Sequence, residues 1–221
     1  MTLNVKVHKY QANSLVDGPG ERAVVFFQGC PIECPGCQNR HLWDKSQGEL
    51  ETVENVARRL ATMAGPNGQI TISGGEPFAQ PRALSALVRL LRDVYEVAHL
   101  IVYTGFTWEY LTSPDLPVDL HVSVIAALSR IDVLVDGPFV KALDDPFISY
   151  RGSRNQRPVD VQASLANWGD PSVPPVTLDW DAAEIAISLD GSAFVPVGLV
   201  KDFADLGSVN KTRLCGQTKG V

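Results

Sequence analysis

The sequence predicts an α/β protein, a partial (β/α) barrel or curled, mostly parallel sheet with a C-terminal β-hairpin extension. Three observations predict it. Short apolar runs of strand character recur through roughly the first 140 residues, helix-period patterns lie between them, and the last fifty or so residues turn to strand alternation about an Asp-Gly pair. In order, Leu3-Asn4-Val5-Lys6-Val7 alternates like a strand, Asp17-Gly18-Pro19-Gly20 reads as a turn, and Ala23-Val24-Val25-Phe26-Phe27 is a continuous apolar run suited to a strand buried on both faces. Val53, Val56, Ala57, Leu60 and Met63 then recur at helical spacing, with Gly65-Pro66 as the stop. Ile70-Thr71-Ile72-Ser73 is a short strand, followed by a helix with Pro81 near its start and Leu84, Leu87, Val88, Leu91 and Val94 on one face. His99-Leu100-Ile101-Val102-Tyr103 is a strand, residues 107–111 a short helix, and Ile131-Asp132-Val133-Leu134-Val135 a further strand.

Strands about 30 residues apart with helical patterns between them are what right-handed parallel β-α-β units produce. Such sheets bind ligands at the C-terminal ends of their strands. Four segments fall there: the cysteine loop after Phe27, Gly74-Gly75-Glu76-Pro77, Thr104-Gly105-Phe106 and Asp136-Gly137-Pro138. They are expected to face one cavity. Beyond residue 168, Gly169-Asp170-Pro171-Ser172-Val173-Pro174-Pro175 has linker composition, and residues 184–189 and 192–197 flank Asp190-Gly191 as a hairpin. A hairpin of this size is expected to pack on the main domain. The expected organisation is a core over 1–168, linker and hairpin over 169–209, and a frayed tail over 210–221.

Composition narrows the function. With 221 residues, 45% hydrophobic and 20% charged, the chain can bury a sizeable core, which excludes disorder, collagen and coiled coil as its main architecture. No apolar run approaches the roughly 18 residues of a membrane span and the N-terminus lacks a signal-peptide stretch, so a cytoplasmic protein without a membrane partner is expected. A net charge of −6 with dispersed basic residues argues against nucleic acid. Of four cysteines, Cys30, Cys34 and Cys37 fall within eight residues while Cys215 stands alone. That distribution points to a metal in a reducing compartment, because a disulfide framework would scatter its pairs.

Cys30-Pro31-Ile32-Glu33-Cys34-Pro35-Gly36-Cys37 presents three thiolates in a tight loop, the ligand type that soft metals prefer. Spacing alone leaves two readings open. One is an iron-sulfur cubane with three thiolates and one open iron, the other a structural zinc site completed by His41.

The motif Cys30-x3-Cys34-x2-Cys37 resembles the cluster motif of the radical S-adenosylmethionine superfamily. Its surroundings are similar to the activating enzymes of glycyl-radical enzymes, in particular the anaerobic ribonucleoside-triphosphate reductase activating proteins. The resemblance rests on Asp17-Gly18-Pro19-Gly20, Gly29-Cys30-Pro31, Cys34-Pro35-Gly36-Cys37-Gln38-Asn39, Ser73-Gly74-Gly75-Glu76-Pro77, Tyr103-Thr104-Gly105-Phe106, Val135-Asp136-Gly137-Pro138-Phe139 and the run from Arg151 through Gly152, Ser153, Arg154, Asn155 and Gln156 to Arg157. These segments are collinear over about residues 10 to 165. The chain departs from many superfamily members in having Gly36 before the last cysteine, from many reductase activases in having Glu76 where they have Asp, and in extending past their compact core.

The resemblance implies a [4Fe-4S] cluster on Cys30, Cys34 and Cys37, with S-adenosyl-L-methionine chelated to the fourth iron and contacted by Gly36, Cys37, Gln38, Gly74, Gly75, Glu76 and Asp136. Beyond the cluster it implies no further catalytic residue. One electron, from a donor such as flavodoxin or ferredoxin, would cleave S-adenosylmethionine to methionine and a 5′-deoxyadenosyl radical that takes hydrogen from a glycine of a protein partner, preferably anaerobic ribonucleotide reductase. The alternatives are an enzyme acting on a small molecule, similar to the 7-carboxy-7-deazaguanine synthases, and a non-catalytic zinc or electron-transfer module. Asp136 also reads as part of a plain turn, His41 as exposed beside a cluster, and Cys215 as a bystander. Trp43, Trp108, Trp168 and Trp180 read as packing residues. Arg151, Arg154 and Arg157 form a basic loop able to dock an acidic peptide or simply to face water.

Overall fold

Four of the predicted apolar runs form the centre of one sheet. The computed structural model describes residues 2–170 and 173–181, together with the backbone of 185–187 and 194–196. The strands β2 (Arg22–Phe27), β4 (Gln69–Gly74), β5 (His99–Tyr103) and β6 (Val133–Asp136) lie side by side and parallel, with Ala23 opposite Ile70, Ile70 opposite Leu100 and Ile101 opposite Val133. Three antiparallel strands flank them: β1 (Asn4–Ser14), β3 (Glu49–Thr52) and β7 (Arg157–Asp160). The order β3-β1-β2-β4-β5-β6-β7 is open at both ends, so the sheet is curled rather than closed into a barrel. The C-terminal extension contributes a separate antiparallel pair, β8 (Ile185–Ile187) with β9 (Phe194–Pro196), inside the predicted hairpin arms. The Asp190-Gly191 turn, the packing of this pair, the tail over 210–221 and Cys215 lie outside the described residues.

Period-2 alternation divides the strand side chains between two faces. Val25, Phe27, Ile70, Ile72, Leu100, Val102 and Leu134 share one core with the apolar stripes of α1 (Val53–Ala64), α2 (Pro81–Asp93) and α4 (Val118–Leu128). Ile101, Val133 and Val135 point the other way. The helices keep the starts read from sequence. The Thr52 side chain caps α1 by accepting from Asn55 N–H at 3.2 Å, and Pro81 opens α2. In α2, Leu84, Leu87, Val88 and Leu91 are fully buried, each worth about 1.5–3 kcal/mol of transfer from water. Val94 departs from its expected place on that face: the helix ends at Asp93, and Val94 is 62% exposed.

Further elements were not expected. β1 runs to Ser14, well past residue 7. The edge strand β3 alternates Glu, Leu, Glu, Thr with Leu50 facing water, which hides its strand character. The helix α4 carries exposed Val118 and Val122 besides its buried Val124, Ala127 and Leu128, so its sequence shows no clean apolar stripe. The short α3 (Trp108–Leu111) matches the predicted 107–111, with Thr107 as its cap, while α5 (Val161–Leu165) follows β7 directly. Asp17-Gly18-Pro19-Gly20 is a bend fastened by a buried Arg22 guanidinium, which donates to Pro19 O, Thr71 Oγ1, Gln69 Oε1 and Ile70 O within 3.1 Å. Gly18 is required there: at φ +130°, a Cβ would meet Ile101 Cδ1 at 2.6 Å. Among the described residues, no helix is long and apolar enough to cross a membrane.

Candidate active site

The carboxyl ends of the four parallel strands converge on a cavity of about 590 Å³. Cys30, Cys34 and Cys37 line it together with Gln38, Gly74, Gly75, Glu76, Thr104, Gly105 and Gly137. The expectation of one shared cavity therefore holds at every strand end. A second cavity of about 800 Å³, with Phe78, Phe106, Leu111 and Val124 in its wall, meets the first at Cys30.

The cysteine loop owes its shape to backbone bonds. Gly29 N–H donates to Leu42 O at 2.8 Å, Cys30 N–H to Trp43 O at 3.1 Å and Cys37 N–H to Cys34 O at 3.0 Å. The Lys6 ammonium gathers the carbonyls of Lys45, Ser46 and Gln47 beneath it. Glu33 and Gly36 take positive φ, 49° and 84°, which lets so short a segment reverse around a compact centre. All three thiols are free and partly exposed. Burial pushes the Cys30 and Cys34 thiols up, while Asn39 N–H points at Cys37 Sγ from 3.4 Å.

Among the described residues, no three His, Cys, Asp or Glu side chains gather about one ion-sized point. His41 is exposed, its ring edge-on to His8 at 5.0 Å, and it does not line the cavity. The closed Cys3His zinc arrangement is therefore not built here. A cubane takes each thiolate on a different iron and so needs them around a cavity rather than at a point. The three cysteines fit that group.

Gly74 and Gly75 bind the glycine motif to the base of the cysteine loop. A Cβ on Gly74 would lie 2.3 Å from Phe27 N, and one on Gly75 would lie 2.3 Å from Gly29 O. This contact lets Gly75 N–H reach Phe27 O at 2.8 Å and Glu76 N–H reach Gly29 O at 2.9 Å. Glu76 is fully buried in the cavity floor. Its Oε1 accepts from Phe78 N–H at 2.8 Å and Thr104 Oγ1 at 2.9 Å, its Oε2 from Gly105 N–H at 2.7 Å. The carboxylate thus ties the β4 and β5 ends together.

Desolvation nevertheless raises the Glu76 carboxyl from 4.5 to about 7. The folded chain then holds this proton more tightly than the unfolded chain, so the contribution is complete below pH 4.5 and is lost as pH rises through 7. Thermal midpoints of the metal-free protein should fall across that window. Glu76→Gln should flatten the fall while lowering stability by about 1–3 kcal/mol throughout, because its amide nitrogen faces a backbone donor. A midpoint curve for Glu76→Gln parallel to that of the wild type would refute the assignment.

Two expected site residues are placed elsewhere. Asp136 is fully buried and does not line the cavity: Arg157 Nε and Nη2 donate to it at 2.9 and 2.5 Å, and Trp108 N–H at 2.7 Å. It joins β6, β7 and the start of α3, and Gly137 takes the cavity position. Gly36 is exposed and lies outside the cavity lining, close to the Lys141 side chain. The basic loop is internally neutralised. Arg151 pairs with Asp181, Arg154 with Asp145, and Arg157 with Asp136 and Glu109, which leaves little charge to dock an acidic peptide. Trp108 and Trp180 are buried, whereas Trp168 is 46% exposed and Trp43 lines the second cavity. Sequence reasoning did not foresee Pro146, Ile148 and Tyr150 in the wall, whereas Tyr103 follows from its position at a strand end.

Residues 16–159 match a family described as a 4Fe-4S single cluster domain. The anaerobic ribonucleoside-triphosphate reductase-activating protein of Salmonella typhi is 31% identical over 158 residues, 69% of this chain and 96% of its own length. That of Vibrio cholerae is 34% identical over 155 residues, covering 67% and 94%. The pyruvate formate-lyase-activating enzyme of Clostridium pasteurianum is 36% identical over 92 residues, 40% of this chain and 39% of that enzyme.

Proposed function

The chain belongs to the 4Fe-4S single-cluster family, in the glycyl-radical activating branch of the radical S-adenosylmethionine enzymes, and on that premise we propose that it generates a glycyl radical on an anaerobic ribonucleoside-triphosphate reductase. The observation that carries this reading is the single cavity in which three thiols face the Gly-Gly strand end. When bound, the cluster and S-adenosylmethionine supply one-electron cleavage of the sulfonium to methionine and a 5′-deoxyadenosyl radical.

The protein's part is placement. Cys30, Cys34 and Cys37 would hold three irons, and the free edges of Gly74 and Gly75 would present backbone groups to the methionine moiety, with Gln38 beside them. Glu76 would act from below, by fixing the β4 and β5 ends, since its oxygens already have donors. Holding both reactants in one cavity makes the electron transfer effectively intramolecular. A core over 1–168 would carry this chemistry, with an extension over 169–209 and a tail over 210–221. A flavodoxin or ferredoxin would supply the electron, and the reducing cytoplasm suits three free thiols.

The test is anaerobic reconstitution with iron and sulfide, reduction, and assay of 5′-deoxyadenosine, followed by electron paramagnetic resonance of an added reductase. Cleavage and a glycyl-radical signal are expected. A formed cluster that leaves S-adenosylmethionine intact would overturn the enzymatic reading, and cleavage without the signal would overturn the partner.

A further inference from the structure

Residues 173–181 lie past the matched family segment, which ends at 159, yet they pack directly behind the wall of the cavity. The segment first continues the sheet beyond β7: Asp160 N–H donates to Val176 O at 2.8 Å, Thr177 bridges Val159, and Leu178 N–H donates to Pro158 O at 2.7 Å. Trp180, 6% exposed, then packs with Ile101, Val133 and Val135 on the sheet face that the helices leave uncovered. Its ring meets Tyr150 at 90° with centroids 5.6 Å apart. The Asp181 carboxylate accepts Ser149 N–H at 2.8 Å and pairs with the Arg151 guanidinium.

Tyr150 and Arg151 both line the cavity, with Pro146, Ile148 and Gly152 on the same segment. That segment has reason to need support. Tyr150 sits at φ +56°, a costly conformation for a side-chain-bearing residue, and beyond the segment itself it is held by Tyr103 Oη–H donating to its carbonyl at 2.8 Å. The Arg151 side chain is only 11% exposed, so its charge needs a counterion close by. An uncompensated guanidinium in this wall would also raise the potential of a cavity meant for a cationic sulfonium.

Resting on the functional reading above, we propose that Trp180 and Asp181 are positioning residues of the active site. They clamp the wall at 149–152 through Tyr150, Ser149 and Arg151, and so tune the affinity for S-adenosylmethionine. The extension is then a working part of the catalytic cavity.

Hydrogen exchange on the full chain without cofactors tests the clamp independently of catalysis. Asp181→Ala should speed exchange of the 149–152 amides by about tenfold, the loss of one hydrogen bond to a charged group, and leave α2 and β4 protected. In the reconstituted enzyme the same variant should raise KM for S-adenosylmethionine by about tenfold with kcat within about twofold. Asp181→Asn keeps an acceptor for Ser149 N–H but not the charge. It should restore the exchange protection and leave KM raised, and it decides the matter if the alanine variant does not fold. Trp180→Phe removes an Nε1–H that has no partner among the described residues, so any faster exchange at Tyr150 reports ring packing alone. Wild-type exchange at 149–152 with wild-type KM in Asp181→Ala and Asp181→Asn would overturn the proposal. A wild-type protein that forms its cluster but cleaves nothing would overturn the functional reading and leave the exchange result standing.

Discussion

Gly75→Ala should lower the thermal midpoint by roughly 10 °C and abolish stable cluster assembly. The added methyl would sit 2.3 Å from Gly29 O and 2.8 Å from Gly29 C, both backbone atoms, so no side chain can swing away to make room. Relief requires the glycine segment to part from the base of the cysteine loop. That parting breaks Gly75 N–H to Phe27 O and Glu76 N–H to Gly29 O. Overpacking costs about 1–3 kcal/mol and each lost hydrogen bond about 1 kcal/mol, so a loss of about 3–5 kcal/mol is expected. For a chain of this size each kcal/mol moves the midpoint by about 2–4 °C. Because Gly29 immediately precedes Cys30, the same displacement moves a proposed cluster ligand. Gly65→Ala is the comparison: its φ of +54° is unfavourable for alanine, a strain that Gly75 does not carry, but a Cβ there meets nothing within 4 Å. It should cost only about 1–2 kcal/mol and leave iron content unchanged. Equal midpoints and equal iron in the two variants would show that the close approach at Gly75 is not what holds the loop.

How much of this was legible in the sequence depended on whether the deciding partner was near in the chain. The four central strands were readable because strands buried on both faces must be apolar throughout, as Ala23 to Phe27 are. The edge strands were not. Half of β3 faces water, and β7 contains Pro158, which weakens any strand signal. The cysteines were readable because their chemistry is local and their spacing short. Asp136 was misplaced because an acid at a strand end looks the same whether it faces a ligand or an arginine. The choice was made by Arg157, 21 positions away, and by an α3 backbone donor. Arg22 escaped notice for a similar reason, since a charge count does not reveal that one guanidinium is buried among acceptors from three other segments. Gly74 and Gly75 were singled out for their lack of side chains, and the structure adds that the surface they touch most closely is the chain's own backbone.

Cys34→Ala should eliminate the cluster and with it S-adenosylmethionine cleavage, down to the rate without enzyme, while leaving the fold nearly intact. Cys34 is partly exposed, belongs to no apolar cluster and lies on a loop whose hydrogen bonds run through the backbone, so the deletion costs little packing. The cluster, in contrast, has no spare thiolate among the described residues: Cys30 and Cys37 are the remaining thiols that line this cavity. Reconstituted wild type should carry about four irons with equivalent labile sulfide, and the variant almost none. Cys215→Ser should behave as wild type if that thiol is a bystander. His41→Ala separates the cluster from the zinc arrangement most directly. An exposed ring packed against His8 is expected to be replaceable without loss of iron or cleavage, whereas a Cys3His centre would lose a quarter of its ligands and its metal with them. Iron retained in Cys34→Ala together with metal lost from His41→Ala would reverse the assignment of ligands made here.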